Sequence, residues 1–228
     1  MKQFKLEDLL DDSSSELTGE EIKSNQSMDD IMIDRMNEYL EQEPEIPDYI
    51  INDPEVVGYP DEYMQDEIYQ WVYSSLHGFG SIKDVGCGRG DFGNYLKNQT
   101  WPNSFDYIGI DRTKLIIDAG MKKYPELNLI CNDWMNIIDA TDYTVCIGSL
   151  NHDDGSDRYD RFWSVFDHSR QTTNKKIIFV FSTEPEEGFV HYELNRILHG
   201  IPEGYPFDID CSRYKGICKL VFYCQKFQ

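Results

Sequence analysis

The chain has 228 residues, 14% of them aromatic, and a formal net charge of -21. That is enough chain for one sizeable core with an appendage, and the aromatic share argues that most of it folds. A balance this acidic repels nucleic-acid backbones and anionic membrane surfaces at long range, so direct nucleic-acid binding is not expected; no run approaches the ~18 apolar residues of a membrane span.

The charge is uneven. Residues 1–60 hold 17 acidic and 4 basic residues, a net of -13. Residues 1–27 read as an acidic, polar tail with few groups to offset ordering entropy, and the opening MKQFKLEDLLDDSSS lacks the apolar segment of a signal peptide. Thr18 and Glu21 have capping-box spacing for a short helix. Within 28–42, Ile31, Ile33, Met36 and Leu40 fall at helical intervals, a stripe suited to docking on the main domain or on a protein partner. EPEIPDYIINDPEVVGYP reads as a proline-rich, extended connector. The expected division is therefore an acidic N-terminal arm with a short helix, 1–58, and a folded domain, 59–228.

From Asp61 a regular alternation begins. DEYMQDEIYQWVYSSL is a predicted helix with an apolar stripe of Tyr63, Ile68, Trp71, Val72 and Leu76. SIKDVG is a strand, DFGNYLKNQ a helix, FDYIGID a strand, TKLIIDAGMKKYP a helix, LNLICND a strand. YTVCIGS is a fourth strand, DRYDRFWSVFDHSRQ a helix, KKIIFVFS a fifth strand and GFVHYELNRILHG helical. FDIDCSRYKGICKLVFYCQ closes the series as two strands joined by a turn near Tyr214–Gly216. Strands and helices alternating through short links predict an α/β, doubly wound, mostly parallel sheet, with the last hairpin adding an antiparallel edge. The six cysteines, Cys87, Cys131, Cys146, Cys211, Cys218 and Cys224, have no close CxxC pair. They read as small packed hydrophobes in a reducing compartment rather than as a disulfide framework or a metal set.

Gly86, Gly88 and Gly90 close the first strand and open a helix, where backbone must turn tightly or pass close to a ligand. No GK[ST] follows, so this is not a P-loop. The next strand ends at Asp111, 21 residues beyond Gly90, where a carboxylate can accept from both hydroxyls of a ribose. The third strand ends in CNDW: Asp133 can receive the amino group of an adenine, or simply cap a turn, and Trp134 can lie against the ring face, or simply pack. Asp91 directly after Gly90 is awkward for the two phosphates of a dinucleotide.

DVGCGRGDFG with YIGID, CNDW and CIGSLNH resembles the class I S-adenosylmethionine-dependent methyltransferases over about residues 59–226. The resemblance implies their seven-stranded sheet with a C-terminal antiparallel pair, S-adenosylmethionine as cofactor, and methyl transfer as activity. It implies that Asp84 orders the glycine loop beside the methionine part of the cofactor, that Gly86, Cys87, Gly88 and Gly90 form that loop, and that Asp111 holds the ribose. Arg112 then flanks the adenine, Asp133 and Trp134 frame it, and Gly148 and Ser149 run beside the methionine part. Tyr59 and Tyr63 are placed to help close the site.

Methyl transfer from a sulfonium is an in-line displacement that needs orientation and, for some acceptors, a base. The candidates follow the fourth strand in GSLNHDDGSDRYD: His152 as base, Asn151 and Asp153 as orienting groups, with a plain loop capping the next helix as the alternative. His191 is a weaker candidate, as readily a core or helix-face histidine. The Asn/Asp-Pro-Pro-aromatic stretch of amino-methylating nucleic-acid enzymes is absent here. The acceptor class that fits is a small molecule or a protein side chain, in the cytoplasm. A non-enzymatic protein on the same fold, its acidic arm docked in a larger assembly such as a viral particle (virion or host cytoplasm), is the competing expectation.

Overall fold

A computed structural model of the chain describes residues 45–99, 105–153, 155–185 and 189–224. The expected tail of residues 1–27 and the helix of 28–42 lie outside the described residues.

An interior strand of the sheet is β1 (Gly80–Val85), whose last four residues are all buried. It pairs in parallel with β2 (Phe105–Asp111) on one side and β4 (Thr141–Ile147) on the other. Beyond β2 lies β3 (Asn128–Cys131), and beyond β4 lies β5 (Thr173–Ser182), both parallel. The hairpin of β6 (Phe207–Tyr214) and β7 (Ile217–Tyr223) adds antiparallel strands, with β7 against β5 and β6 at the edge. The full order is β3-β2-β1-β4-β5-β7-β6. The chain works outward from β1 to β3 and then returns to β4, so the order reverses between β1 and β4. In open α/β sheets a crevice opens at such a reversal, beyond the carboxyl ends of the strands.

Helices cover both faces. On one lies α2 (Glu62–Tyr73), started by Asp61, whose side chain accepts from Met64 N; Ile68, Trp71 and Val72 pack there on Ile82, Val145, Ile178 and Val221. The same layer holds α3 (Asp91–Lys97). On the other face, α5 (Arg158–Thr172) sets Phe162 edge-on to Phe179 and Phe181, with centroids 5.2 and 5.5 Å apart. Such edge-to-face pairs add to their burial. The short α6 (Leu194–Gly200) adds Ile197 to that layer. No helix among the described residues is long and apolar enough to cross a membrane.

Four expectations are corrected. The proline-rich stretch is not an extended connector throughout: it forms α1 (Asp48–Asn52) and a 3-10 turn, Pro54–Val57. Ile50 and Ile51 of α1 are buried on Leu115, Ile116 and Ala119 of α4 (Lys114–Lys123), and Pro47 and Pro54 stand at the starts of α1 and the 3-10 turn, where proline is tolerated. Tyr63 is not part of the apolar stripe of α2, being 74% exposed. Residues 189–193 are not helical, because their amides are used elsewhere: Val190 N donates to Asn151 O and Tyr192 N to Ser182 O. Finally, not all six cysteines are free thiols. Cys211 and Cys218 form a disulfide across the terminal hairpin, next to the paired residues Asp210 and Lys219.

One buried side chain ties the early segment to the sheet. Arg89 is 1% exposed. Its Nη1 donates to the carbonyls of Ile50 and Asp53, at 3.0 and 2.7 Å, and its Nε donates to Asp91 Oδ2 at 3.0 Å. Lys123 Nζ and the Tyr124 hydroxyl donate to the other Asp91 oxygen. Replacing Arg89 with Met should lower unfolding stability by about 3 kcal/mol, the usual cost of stripping one partner from a buried ion pair. A urea midpoint unchanged from the parent protein would contradict this role.

Candidate functional site

The glycine turn follows β1 directly. Gly86 N and Cys87 N both donate to Ile110 O of β2, at 2.8 and 3.0 Å, which pulls the turn over the neighbouring strand. Gly86 has φ +69°, and a Cβ there would lie 2.2 Å from Ser149 Cβ and 2.4 Å from Ser149 Oγ. Only glycine fits this position, for both reasons. Ser149 is fixed in turn, its Oγ donating to Val85 O and contacting Cys146 Sγ. The first turn and the end of β4 are therefore one packed unit.

Asp111 closes β2 and reaches this unit from the other side. Its Oδ2 accepts from Gly88 N at 3.1 Å, and its Oδ1 accepts from Thr113 N at 2.8 Å. A carboxylate has about four lone-pair positions, so two remain for a ligand. The Asp111 side chain is half-buried at the rim of the turn. Beneath the turn Asp84 is 2% exposed and its Oδ2 accepts from the Tyr107 hydroxyl at 2.7 Å. Burial pushes its carboxyl up to about 7, the Tyr107 hydrogen bond works in the opposite direction, and the Asp111 charge adds to the rise. Burial, with the charges of Asp84 and Asp111, also raises the Cys87 thiol well above its ordinary value. Cys87 is thus a neutral packing group and not a thiolate nucleophile.

Gly148 follows β4 with φ +79°, its N donating to Val180 O, and the space where its Cβ would stand is open to 4 Å. This is free volume beside the reversal of strand order. Val57, from the 3-10 turn that Arg89 holds down, flanks Gly88, 3.0 Å from where a Cβ would be, and Gly58 faces the ring of Phe189. His152 is exposed, and its ring lies 6.0 Å from that same Phe189 ring. Residues from four parts of the chain thus meet beside the glycine turn.

The sequence-predicted residues fall into two groups. Gly86 meets Ser149, Gly88 bonds Asp111, Cys87 lies between those two glycines, Asp84 lies close enough for its charge to act on Cys87, and Gly148 adjoins Ser149. The others stand apart or are engaged. Gly90 turns inward to Leu127 and Leu129. Asp133 is exposed and caps a 3-10 turn by accepting from Met135 N at 2.9 Å. Trp134 sets its ring edge-on to His168 of α5 at 5.2 Å. Arg112 is exposed, and its carbonyl accepts from Cys131 Sγ. Asn151 Oδ1 accepts from Ser182 N at 2.9 Å, and Asp153 Oδ1 from Gly155 N at 3.0 Å. Tyr59 packs edge-on to Tyr69. The residue that sequence reasoning missed is Arg89. An arginine between two glycines has no local signal of burial, since the carbonyls that take its Nη1 lie 39 and 36 residues earlier.

Asp91 does not present its charge at the helix start, where the sequence sets it against two phosphates. Its carboxylate is instead 7% exposed and occupied by Arg89 and Lys123, beneath the turn. The local acidity that a ligand would meet comes from Asp111, with Asp84 below it.

No family model matches the sequence, and no curated protein matches it. Solved structures do resemble the fold. A protein from Pyrococcus horikoshii shares 15% identity at a TM-score of 0.60, over 82% of this chain and 99% of that one. The N-methyltransferase NodS from Bradyrhizobium japonicum, in complex with S-adenosyl-L-homocysteine, shares 13% identity at 0.59, over 84% and 99%. Magnesium protoporphyrin IX methyltransferase from Synechocystis, with bound SAH, shares 13% identity at 0.55, over 86% and 98%. With its strand order and terminal hairpin, the chain has the class I S-adenosylmethionine-dependent methyltransferase fold.

Asp84 generates a pH test. Its folded pKa, about 7, lies above the ordinary 3.8, so folding favours the protonated form. The stability this contributes is complete below 3.8 and is lost as pH rises through about 7. Asp84→Asn should flatten the fall in urea midpoint across that window, and a slope equal to the parent's would contradict the assignment.

Proposed function

We propose that this chain binds S-adenosylmethionine at the glycine turn and transfers its methyl group to a small molecule or a protein side chain. The observation that carries the reading is the hydrogen bond from Gly88 N to Asp111, which holds a carboxylate with free lone pairs at the rim of the turn. The open space at Gly148 supports the same fit. When bound, the cofactor supplies a methyl group on a positively charged sulfur.

The chain's own residues divide the remaining work. Asp111 accepts from the ribose hydroxyls, fixing the nucleoside against the turn. Asp84, near neutrality in its titration, faces a cation through the turn and ionises more readily when one is present. Asp133 and Trp134 mark the adenine side, with Arg112 beside them; a rotation of Trp134 from His168 would expose its face to the base. Ser149 and Gly148 border the methionine part. His152 stands at the opening, exposed, where it takes a proton from the acceptor. Asn151 and Asp153 position it, by anchoring the loop to β5 and by closing the turn at Gly155. Phe189 beside His152 offers an apolar wall to the acceptor. Of the acidic arm, residues 1–58, the part before residue 45 is proposed to dock on a protein partner, since Ile46, Ile50 and Ile51 are already packed on this chain.

A second reading is favoured by one observation. Asn151 and Asp153 already spend a side-chain oxygen on backbone amides, as they would in a loop that merely caps the next helix. A protein on this fold without turnover, serving as a structural component, is consistent with that.

Calorimetry with S-adenosylmethionine separates the two. Micromolar binding by the parent chain and a loss of about tenfold or more with Asp111→Ala, the equivalent of ~1.4 kcal/mol, is the expected result. Absence of binding sinks the cofactor reading. His152→Ala should retain cofactor binding while lowering the methyl-transfer rate by about 100-fold, within the usual range for a general base. An equal rate with and without His152, once an acceptor is in hand, removes it from the mechanism.

A further inference from the structure

A second concavity lies far from the glycine turn. It is a hollow of about 250 Å³ between the end of α2 and the inner face of the terminal hairpin, lined among others by Ser75, His77, Lys176, Lys219, Val221 and Tyr223. The first strand enters the sheet just after His77, so this hollow opens toward the amino ends of the strands, opposite the candidate cofactor site.

Two ammonium groups meet there around one serine. Lys219 is 7% exposed; its Nζ donates to Ser75 Oγ and to Trp71 O, each at 2.8 Å, and sits 5.0 Å from the centre of the Trp71 ring. Lys176 Nζ donates to Ser75 O at 2.8 Å and lies 5.2 Å from the centre of the Tyr223 ring. Every one of these acceptors is neutral. The acids of the lining bond other groups and neither accepts from these lysines: Asp210 accepts from Trp71 Nε1 and from Ser212, and Asp208 accepts from the Tyr223 hydroxyl. Burial, with the like charges of Arg213 and Lys176 nearby, lowers the Lys219 pKa to about 8 although Asp210 acts the other way. A lysine ammonium has three donors, so Lys219 keeps one in hand and Lys176 two.

Buried cations are ordinarily paired, because desolvating an unpaired charge is costly. Here one buried and one half-buried ammonium line a single hollow without a counter-ion among their hydrogen-bond partners. We propose that the hollow binds a small organic carboxylate, its two oxygens bridging Lys176 Nζ and Lys219 Nζ and its apolar body lying on Val221 and Tyr223. A single negative charge suits the site better than a phosphate dianion, since Asp208 and Asp210 stand in the same lining. Nothing in this proposal depends on the cofactor reading.

The Trp71 indole N–H reports on the site, being bonded to Asp210 at its wall. Its signal in a nitrogen–proton correlation spectrum, assigned with Trp71→Phe, is followed while benzoate is added to the full chain. The expected result is a saturable shift, weakened at least about tenfold in Lys176→Met and lost in Lys219→Met. Lys176 is only half-buried, so its variant carries the test should the Lys219 variant fail to fold. No saturable shift, an identical titration in the Lys176 variant, or tighter binding of inorganic phosphate than of benzoate would each overturn the proposal.

Discussion

The site depends on a backbone amide meeting a carboxylate. Gly88 N would be an orphan donor at the apex of a tight turn, and Asp111 would be a charge at the end of a buried strand. Each resolves the other's problem at 3.1 Å. The bond is possible only because β1 and β2 are parallel and in register, Val85 beside Ile110, so that the turn after one strand overlies the last residue of the next. Ser149 closes the other side, and its contact with Gly86 explains why no side chain is tolerated there. Sheet topology, turn and acid are therefore one constraint, and any ligand in the crevice meets them as a rigid edge.

A second layer of support lies beneath and around this edge. Arg89 and Asp91, both buried, lock the start of α3 to the segment at residues 50–53, which in turn brings Val57 to Gly88. The early segment is in this way part of the wall of the crevice. The charge distribution follows the same division. Positive groups under the turn are consumed by Asp91, whereas Asp111 at the rim keeps accepting capacity. A crevice with that polarity favours a cationic, hydroxyl-bearing ligand over one with phosphates.

The strands were legible because each is a short apolar run bounded by breakers. FDYIGID coincides with β2 in full, and the turn at Gly216 joins the last two strands as the pattern predicts. The turn residues and Asp111 were legible because glycine and a strand-end acid carry meaning in their own local geometry. What escaped is what depends on distant partners. Ile50 and Ile51 looked like connector residues until α4 supplied a surface for them. Tyr192 belonged by period to a helix, yet its amide pairs with Ser182 and its hydroxyl donates to Leu150 O, which holds the chain extended. The Cys211–Cys218 bond depends on the hairpin, since the turn at 214–216 sets the two strands opposite each other, and cysteine spacing by itself does not show it. Asp133 and Trp134, which the sequence offers as neighbours of an adenine, are the hardest case, because they satisfy themselves with Met135 and His168.

The most direct test of the account is a crystal structure of the chain grown with S-adenosylhomocysteine. The account predicts the ribose hydroxyls within about 3 Å of the Asp111 carboxylate, hydrogen-bond distance, with the Gly88 amide still donating to the same group. A nucleoside seated elsewhere on the molecule, or an Asp111 side chain that leaves the turn and makes no contact with the sugar, would contradict it.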